Sequence, residues 1–126
     1  MTAPAPLLVG VPTEIKPDEG RVAITPDGVR ELNGHGVDVL VQSGAGDGAS
    51  STSNRSISCR YPAAEYVAVG AEIVPTAAEV WERAGLICKV KEPQESELAY
   101  LRPDLVLFTY LHLAAYPGVA DALLAA

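Results

Sequence analysis

The sequence predicts an α/β domain: an open, mostly parallel sheet with helices on both faces. Two observations predict it. Short apolar runs rich in β-branched residues alternate along the chain with segments that carry helix start and stop signals. One run, Leu105–Tyr110, is apolar in the manner of a strand buried on both faces of a parallel sheet. At 126 residues the chain is expected to form one domain, 1–126, since domains take roughly 100–200 residues. That length supports a core without disulfide or metal staples.

Leu7–Val11 reads as the first strand. Thr25-Pro26 then opens a helix, with Thr as N-cap and Pro at the first helical position, where its missing N–H leaves nothing unpaired. Val29 and Leu32 give that helix its apolar stripe, and Gly34 and Gly36 end it. Val37–Val41 is the second strand. Residues 44–62 are expected to form a flexible loop, because Gly44, Gly46 and Gly48 lead into a Ser-rich run. Ala63–Val69 reads as a short helix closed by Gly70, followed by a brief strand at Glu72–Val74. Thr76-Ala-Ala-Glu79 has the form of a capping box. It opens a helix bearing Val80, Trp81 and Ala84, which Gly85 ends. Leu86–Val90 is a strand, Glu95–Leu101 a short helix stopped before Pro103, and Leu105–Tyr110 the last strand. Pro117 starts an amphipathic helix through Leu124.

Composition removes several functions. Nine basic against sixteen acidic residues give a net charge of −7, which excludes a dedicated nucleic-acid or anionic-membrane partner. A local cationic pocket for a small acid remains open. The two cysteines, Cys59 and Cys88, make no disulfide framework; Cys88 reads as a buried thiol and Cys59 as an exposed one. No His/Cys cluster has metal-ligand spacing, so no metal site is expected. Met1–Pro12 lacks a basic start and a long enough apolar run to be a signal peptide, and no stretch approaches a transmembrane length. The chain reads as cytoplasmic, where the Asn54-Arg55-Ser56 sequon is without meaning.

In open parallel sheets ligands bind outside the carboxyl ends of the strands, so functional residues are expected in 12–21, 91–93 and 111–113. The first of these segments holds Glu14, Gly20 and Arg21. Arg21 carries a planar fork that matches a carboxylate bidentately; the plain alternative is a solvated loop with local salt bridges. The second follows Lys89-Val-Lys91-Glu-Pro93. Strand alternation places Lys89 and Lys91 on one face, and ammonium groups so near a buried run need an anion, from Glu92, another acid of the chain or a ligand. Alternatively both sit at a solvated strand end. The third holds His112, an acid/base candidate because its charge changes near neutral pH, or else a structural histidine. No evident acid assists it. His35, between two glycines, reads as an exposed loop residue. Gly44-Ala-Gly46-Asp-Gly48 nearly matches a dinucleotide fingerprint, but the third glycine comes one place early and no helix follows promptly, which favours a plain turn. Arg21, one or both of the lysines and His112 together suit a small carboxylate or keto acid.

Three segments, Val9–Pro26, Lys89–Pro93 and Leu107–Ala115, closely resemble the N-terminal half of NAD-dependent L-alanine dehydrogenases. The likeness runs over nearly the whole chain outside 49–62. It implies a Rossmann-like substrate domain in which Arg21 and Lys91 hold the substrate carboxylate and carbonyl oxygen. It makes His112 the catalytic acid/base and Glu14 a supporting residue. The implied reaction converts L-alanine, NAD and water to pyruvate, ammonium and NADH. The resemblance also implies that the cofactor, NAD, binds in a second domain that these 126 residues lack. The chain is then incomplete at its C-terminus and inactive alone in hydride transfer, and either a homo-oligomer or a complementing NAD-domain chain is its partner. The stretch 49–62 departs from the family in being longer and richer in Ser and Arg. The transhydrogenase α subunit shares the opening motif, but Lys91 and His112 favour the dehydrogenase branch. A fragment of that subunit is one alternative. The other is a non-catalytic module for small-carboxylate binding or oligomerisation.

Overall fold

A computed structural model describes residues 7–47 and 61–126. Five strands, β1 (Leu8–Val11), β2 (Asp38–Gln42), β3 (Glu72–Val74), β4 (Leu86–Cys88) and β5 (Val106–Phe108), form one sheet in the order β3-β2-β1-β4-β5. Every pairing is parallel, with Val9 opposite both Val39 and Leu86. The chain builds outward from β1 to β3, then returns to the other side of β1 for β4 and β5. Connections therefore leave β1 and β4 in opposite directions, and a crevice opens at their carboxyl ends. The loops expected to carry function lie there.

Alternation along the strands sorts apolar residues to two faces. On one, Val9, Val11, Val39 and Val41 pack with Val29 of α1 (Pro26–Gly34) and Tyr66 of α2 (Ala63–Ala68). The Tyr66 hydroxyl donates to the Ile24 carbonyl at 2.8 Å, so the buried ring keeps its polar end satisfied. On the other, Leu40, Val74 and Ile87 meet Val80 and Trp81 of α3 (Ala77–Arg83). Trp81 stacks on Tyr100 of a 3-10 helix at Glu95–Tyr100, with ring centroids 5.6 Å apart. The Arg102 guanidinium closes the end of α3 by donating to the carbonyls of Trp81 and Ala84.

The local signals act largely as read. Thr25 Oγ1 accepts from Gly28 N at the start of α1, with Pro26 at the first position. Gly36 and Gly70 take positive φ, 78° and 99°, at the two helix exits where an L side chain is disfavoured. At α3 only half of the capping box forms. Thr76 Oγ1 accepts from Glu79 N, but the Glu79 carboxylate turns to Arg83. The reciprocal box instead caps the 3-10 helix, between Gln94 and Glu97.

Other expectations are corrected. Leu105–Tyr110 is not the best-buried strand. β5 is three residues long and forms the sheet edge, where Leu105 and Leu107 lean on the α3 side while Val106 and Phe108 stand 56 % and 70 % exposed. Apolar content alone does not distinguish an edge from a centre. α4 (Pro117–Ala125) is apolar around much of its circumference rather than amphipathic, and only Val119 is buried. β4 stops at Cys88, and the Glu95 helix is of the tighter 3-10 type. Cys88 is half-buried and its thiol is pushed up by burial. The Ser-rich run, Cys59 and the sequon lie outside the described residues, but the stretch begins packed, since Ala45 belongs to the core.

α3 approaches β1 closely because Gly10 has no side chain. A Cβ there would lie 2.7 Å from Ala84 Cβ, 2.8 Å from Val80 Cγ1 and 2.9 Å from Ile87 Cδ1. Gly10→Ala should destabilise the chain by about 1–3 kcal/mol through overpacking. Urea denaturation checks this, and an unchanged midpoint would contradict the close approach.

Candidate functional site

The crevice between β1 and β4 is organised by Glu14, just past the end of β1. Its carboxylate is buried and bonded to three donors from the chain after β4. Oε1 accepts from Lys89 Nζ at 3.2 Å and from Lys91 N at 3.0 Å; Oε2 accepts from Val90 N at 3.1 Å. One side chain thus satisfies two backbone N–H groups that the ended strand leaves without ladder partners. On the neighbouring strand, Gln42 Oε1 accepts from Thr13 N and holds the loop from its other side.

Lys89 and Lys91, placed on one face by strand alternation, have separate environments. The Lys89 side chain is 1 % exposed and lies between Glu14 and Glu97, with its ammonium 3.3 Å from Glu97 Oε2. Burial pushes the Glu97 carboxyl up, against the pull of Lys89. Lys89 therefore spends its charge inside the protein. Lys91 lies beyond the end of β4 and is partly exposed. Its backbone holds Glu14, its carbonyl accepts from Thr109 Oγ1 at 2.8 Å, and its charge acts on Glu19.

Arg21 does grip a carboxylate bidentately, but the carboxylate is its own neighbour's. Its Nε and Nη2 donate to Glu19 Oε2 and Oε1 at 2.9 and 2.7 Å, and its backbone N adds a third bond. Hydrogen bonds from Arg21 hold the Glu19 carboxyl down to about 2. Glu19 is buried, whereas the Arg21 side chain is 66 % exposed and keeps an outward edge. A pocket lined by Thr13, Glu14, Gly20, Arg21 and Ala45 adjoins this pair, and the Thr13 hydroxyl is buried without a partner among the described residues.

His112 follows β5 in a turn, with φ of 50° and a half-exposed side chain. It lies just past a strand end, as expected, but that strand is the exposed edge of the sheet rather than its best-buried member. It also has an acidic neighbour. Glu92, 1 % exposed, directs Oε2 toward His112 Nδ1 at 3.8 Å. Glu92 Oε1 accepts from Lys16 Nζ at 2.6 Å, and Lys16 also donates to the Tyr116 hydroxyl at 3.1 Å. Burial alone would raise the Glu92 carboxyl, but Lys16 together with neighbouring hydrogen-bond donors outweighs it and the group lies below its ordinary value. Lys16 is raised in turn, first by Glu92 and then by Tyr116. Lys16, Glu19 and Glu97 are the residues that motif reading missed, and Glu92, read as an anion for Lys89 or Lys91, instead pairs with Lys16 and faces His112. Their signal was charge counting: each cation beside a buried run demands an acid.

The structure brings Glu14, Glu19, Arg21 and Lys91 to one crevice, and joins the His112 segment to it through Thr109 and Glu92. A dinucleotide does not fit the glycine turn after β2. A Cβ on Gly46 would meet the Tyr61 carbonyl and the Tyr66 ring, so the missing side chain admits protein rather than a pyrophosphate. Among the described residues the next helix is α2 at Ala63. Among the described residues no group of three His, Cys, Asp or Glu is placed to hold a metal, and no helix is long and apolar enough to cross a membrane.

Known proteins match this arrangement. The chain is 53 % identical over 119 residues to the alanine dehydrogenase of Mycolicibacterium smegmatis, covering 94 % of this chain and 29 % of that protein. It is 46 % identical to the alanine dehydrogenase of Bacillus subtilis, over 93 % of this chain and 28 % of the relative. The chain thus spans less than a third of the length of these relatives. A solved L-alanine dehydrogenase superposes with a TM-score of 0.82 at 38 % identity, over 94 % of this chain and 30 % of the other. A transhydrogenase from Sinorhizobium meliloti does so at 0.76 and 28 % identity, over 92 % and 31 %. The family model described as alanine dehydrogenase/PNT, N-terminal domain, matches residues 10–126. With its parallel β3-β2-β1-β4-β5 sheet and the crevice beside β1, this chain belongs to the alanine dehydrogenase/PNT N-terminal domain family.

Proposed function

We propose that this chain is the substrate-binding part of an L-alanine dehydrogenase and holds pyruvate or L-alanine in the crevice between β1 and β4. One observation carries the reading. Lys16, Arg21, Arg30, Arg83, Lys89 and Arg102 each pair with a carboxylate of the chain. Among the described residues, the Lys91 ammonium alone of the lysine and arginine cations has no such partner. An ammonium without an ion-pair partner, on a half-buried residue at a crevice edge, favours an anion from outside.

In this reading Lys91 and the free edge of Arg21 share the substrate carboxylate and carbonyl oxygen. Cations there orient the acid and draw electron density toward the oxygen. His112 is the acid/base, and Glu14 supports by fixing the Lys91 backbone. NAD, the hydride carrier of the proposed reaction, has no seat in the glycine turn of this chain. A homo-oligomeric partner or a complementing NAD-domain chain in the cytoplasm completes the proposal. The net charge of −7 supports a small-molecule partner over nucleic acid or membrane.

Isothermal titration of the purified chain with pyruvate tests it. Lys91→Ala should weaken binding about 10–100-fold, the cost of a charge-assisted hydrogen bond. No binding by the folded chain, or equal binding by the variant, would overturn the reading.

The Glu19–Arg21 pair sets a separate expectation. The folded Glu19 pKa is lowered from 4.5 to about 2, so its contribution is complete above about pH 4.5 and is lost as pH falls through about 2. Screening at an exposed guanidinium reduces the contribution to about 1–2 kcal/mol. Glu19→Gln should lower the unfolding free energy by that amount at about pH 7, and the difference from the native chain should shrink by about pH 3. Urea titrations at both pH values check it; a difference independent of pH would contradict the assignment.

A further inference from the structure

We infer that Glu92 is a positioning residue for His112: it sets which ring nitrogen carries the proton and leaves Nε2 as the free base. The inference deepens the proposed function and rests on it for its catalytic meaning, though not for its geometry.

Three observations converge. Glu92 is 1 % exposed, and its Oε2 is buried with no hydrogen-bond partner among the described residues. Buried carboxylate oxygens are ordinarily satisfied, so an orphan is an acceptor held in reserve. That oxygen lies 3.8 Å from His112 Nδ1, within ion-pair reach and roughly 1 Å longer than a hydrogen bond. The His112 ring is half-exposed, so no buried packing fixes it at that distance. Thirdly, the other oxygen is committed. Lys16 Nζ donates to Oε1 at 2.6 Å and is itself steadied by the Tyr116 hydroxyl, with that ring centroid 4.9 Å from the ammonium. Lys16 therefore keeps Glu92 ionised and fixes which oxygen faces the imidazole.

The chemistry follows from donor and acceptor identities. An ionised carboxylate only accepts, so the nitrogen facing it must carry the hydrogen. His112 then holds its proton on Nδ1, toward Glu92, and presents the Nε2 lone pair outward. A proton taken at Nε2 creates an imidazolium whose charge Glu92 offsets at the opposite nitrogen. Without this partner, a free imidazole favours the proton on Nε2, which is the wrong form for a base on that side.

A single substitution inverts the logic. In Glu92→Gln, Lys16 is donor-only and must face the amide oxygen, which turns the amide NH₂ toward His112. Nδ1 must then accept, and the proton moves to Nε2.

The test is a long-range ¹⁵N–¹H correlation spectrum of the uniformly ¹⁵N-labelled chain, at a pH where both imidazoles are neutral. His35 provides an internal reference with the opposite arrangement, since its Nε2 faces Glu31 Oε1 at 3.6 Å on the exposed side of α1. In the native chain His112 should be mainly the Nδ1–H tautomer and His35 mainly Nε2–H. In Glu92→Gln the major His112 tautomer should reverse, while His35 stays unchanged. A purely structural Glu92 would leave the tautomer unmoved. A native His112 that is mainly Nε2–H overturns the inference, as does a folded Glu92→Gln variant without the reversal. If that variant does not fold, the native spectrum decides alone. No ligand enters the measurement, so failure to bind pyruvate leaves this result standing, and the reverse also holds.

Discussion

The arrangement depends on one buried carboxylate. Glu14 joins the loop after β1 to the segment after β4 through the Lys89 ammonium and the backbone N–H groups of Val90 and Lys91. These segments lie on opposite sides of the crevice, and the ladder has ended by Val90 and Lys91, whose N–H groups turn to Glu14 instead. Without Glu14, two backbone donors would lose their partners and Lys89 would keep only Glu97. A buried ion pair adds little net stability over an apolar substitute, but its geometry is demanding. Here that geometry sets the width of the crevice and the placement of Lys91.

That arrangement also divides the labour between two lysines two residues apart. Lys89 neutralises carboxylates in the interior, where Glu14 and Glu97 share one ammonium and burial pushes the Glu97 carboxyl up against the pull of Lys89. Lys91, through its backbone, is a structural partner of the same Glu14, yet its ammonium is not consumed. An acidic chain can thus present a cationic feature: the nearby acids lie in ion pairs with Lys16, Arg21 and Lys89, while Lys91, whose charge still acts on Glu19, is within ion-pair distance of none of them.

Much of this was legible in the sequence where the controlling physics is local. Thr25-Pro26, Gly36 and Gly70 act through the backbone of a few residues, and they mark helix ends as the pattern predicts. The parallel sheet follows from the alternation of elements, and the site loops from the rule that ligands sit beyond strand ends. What was not legible depends on neighbours distant in sequence. The Glu79 carboxylate had a cap to make and an arginine to meet, and it chose the arginine. Leu105–Tyr110 resembles a central strand, but whether a strand is central depends on pairing order, which apolar content does not encode. Glu92 was visible within Lys89–Pro93. Its approach to His112 was not, because twenty residues and a strand separate them in the chain.

The position of His112 then has a physical rationale. It follows the most exposed strand of the sheet, where Val106 and Phe108 contribute little burial and the core cannot hold a side chain in place. A residue in a positive-φ turn at such an edge would be poorly positioned by packing alone. Instead the edge is bound to the crevice by polar contacts: Lys89 N to the Phe108 carbonyl, the Thr109 hydroxyl to the Lys91 carbonyl, and Glu92 facing the imidazole. Each contact ends on the segment that Glu14 fixes. The histidine is therefore positioned relative to Lys91 rather than to the hydrophobic core. In the proposed function, proton transfer between His112 and a bound acid would require that alignment, which these polar contacts supply where apolar packing does not.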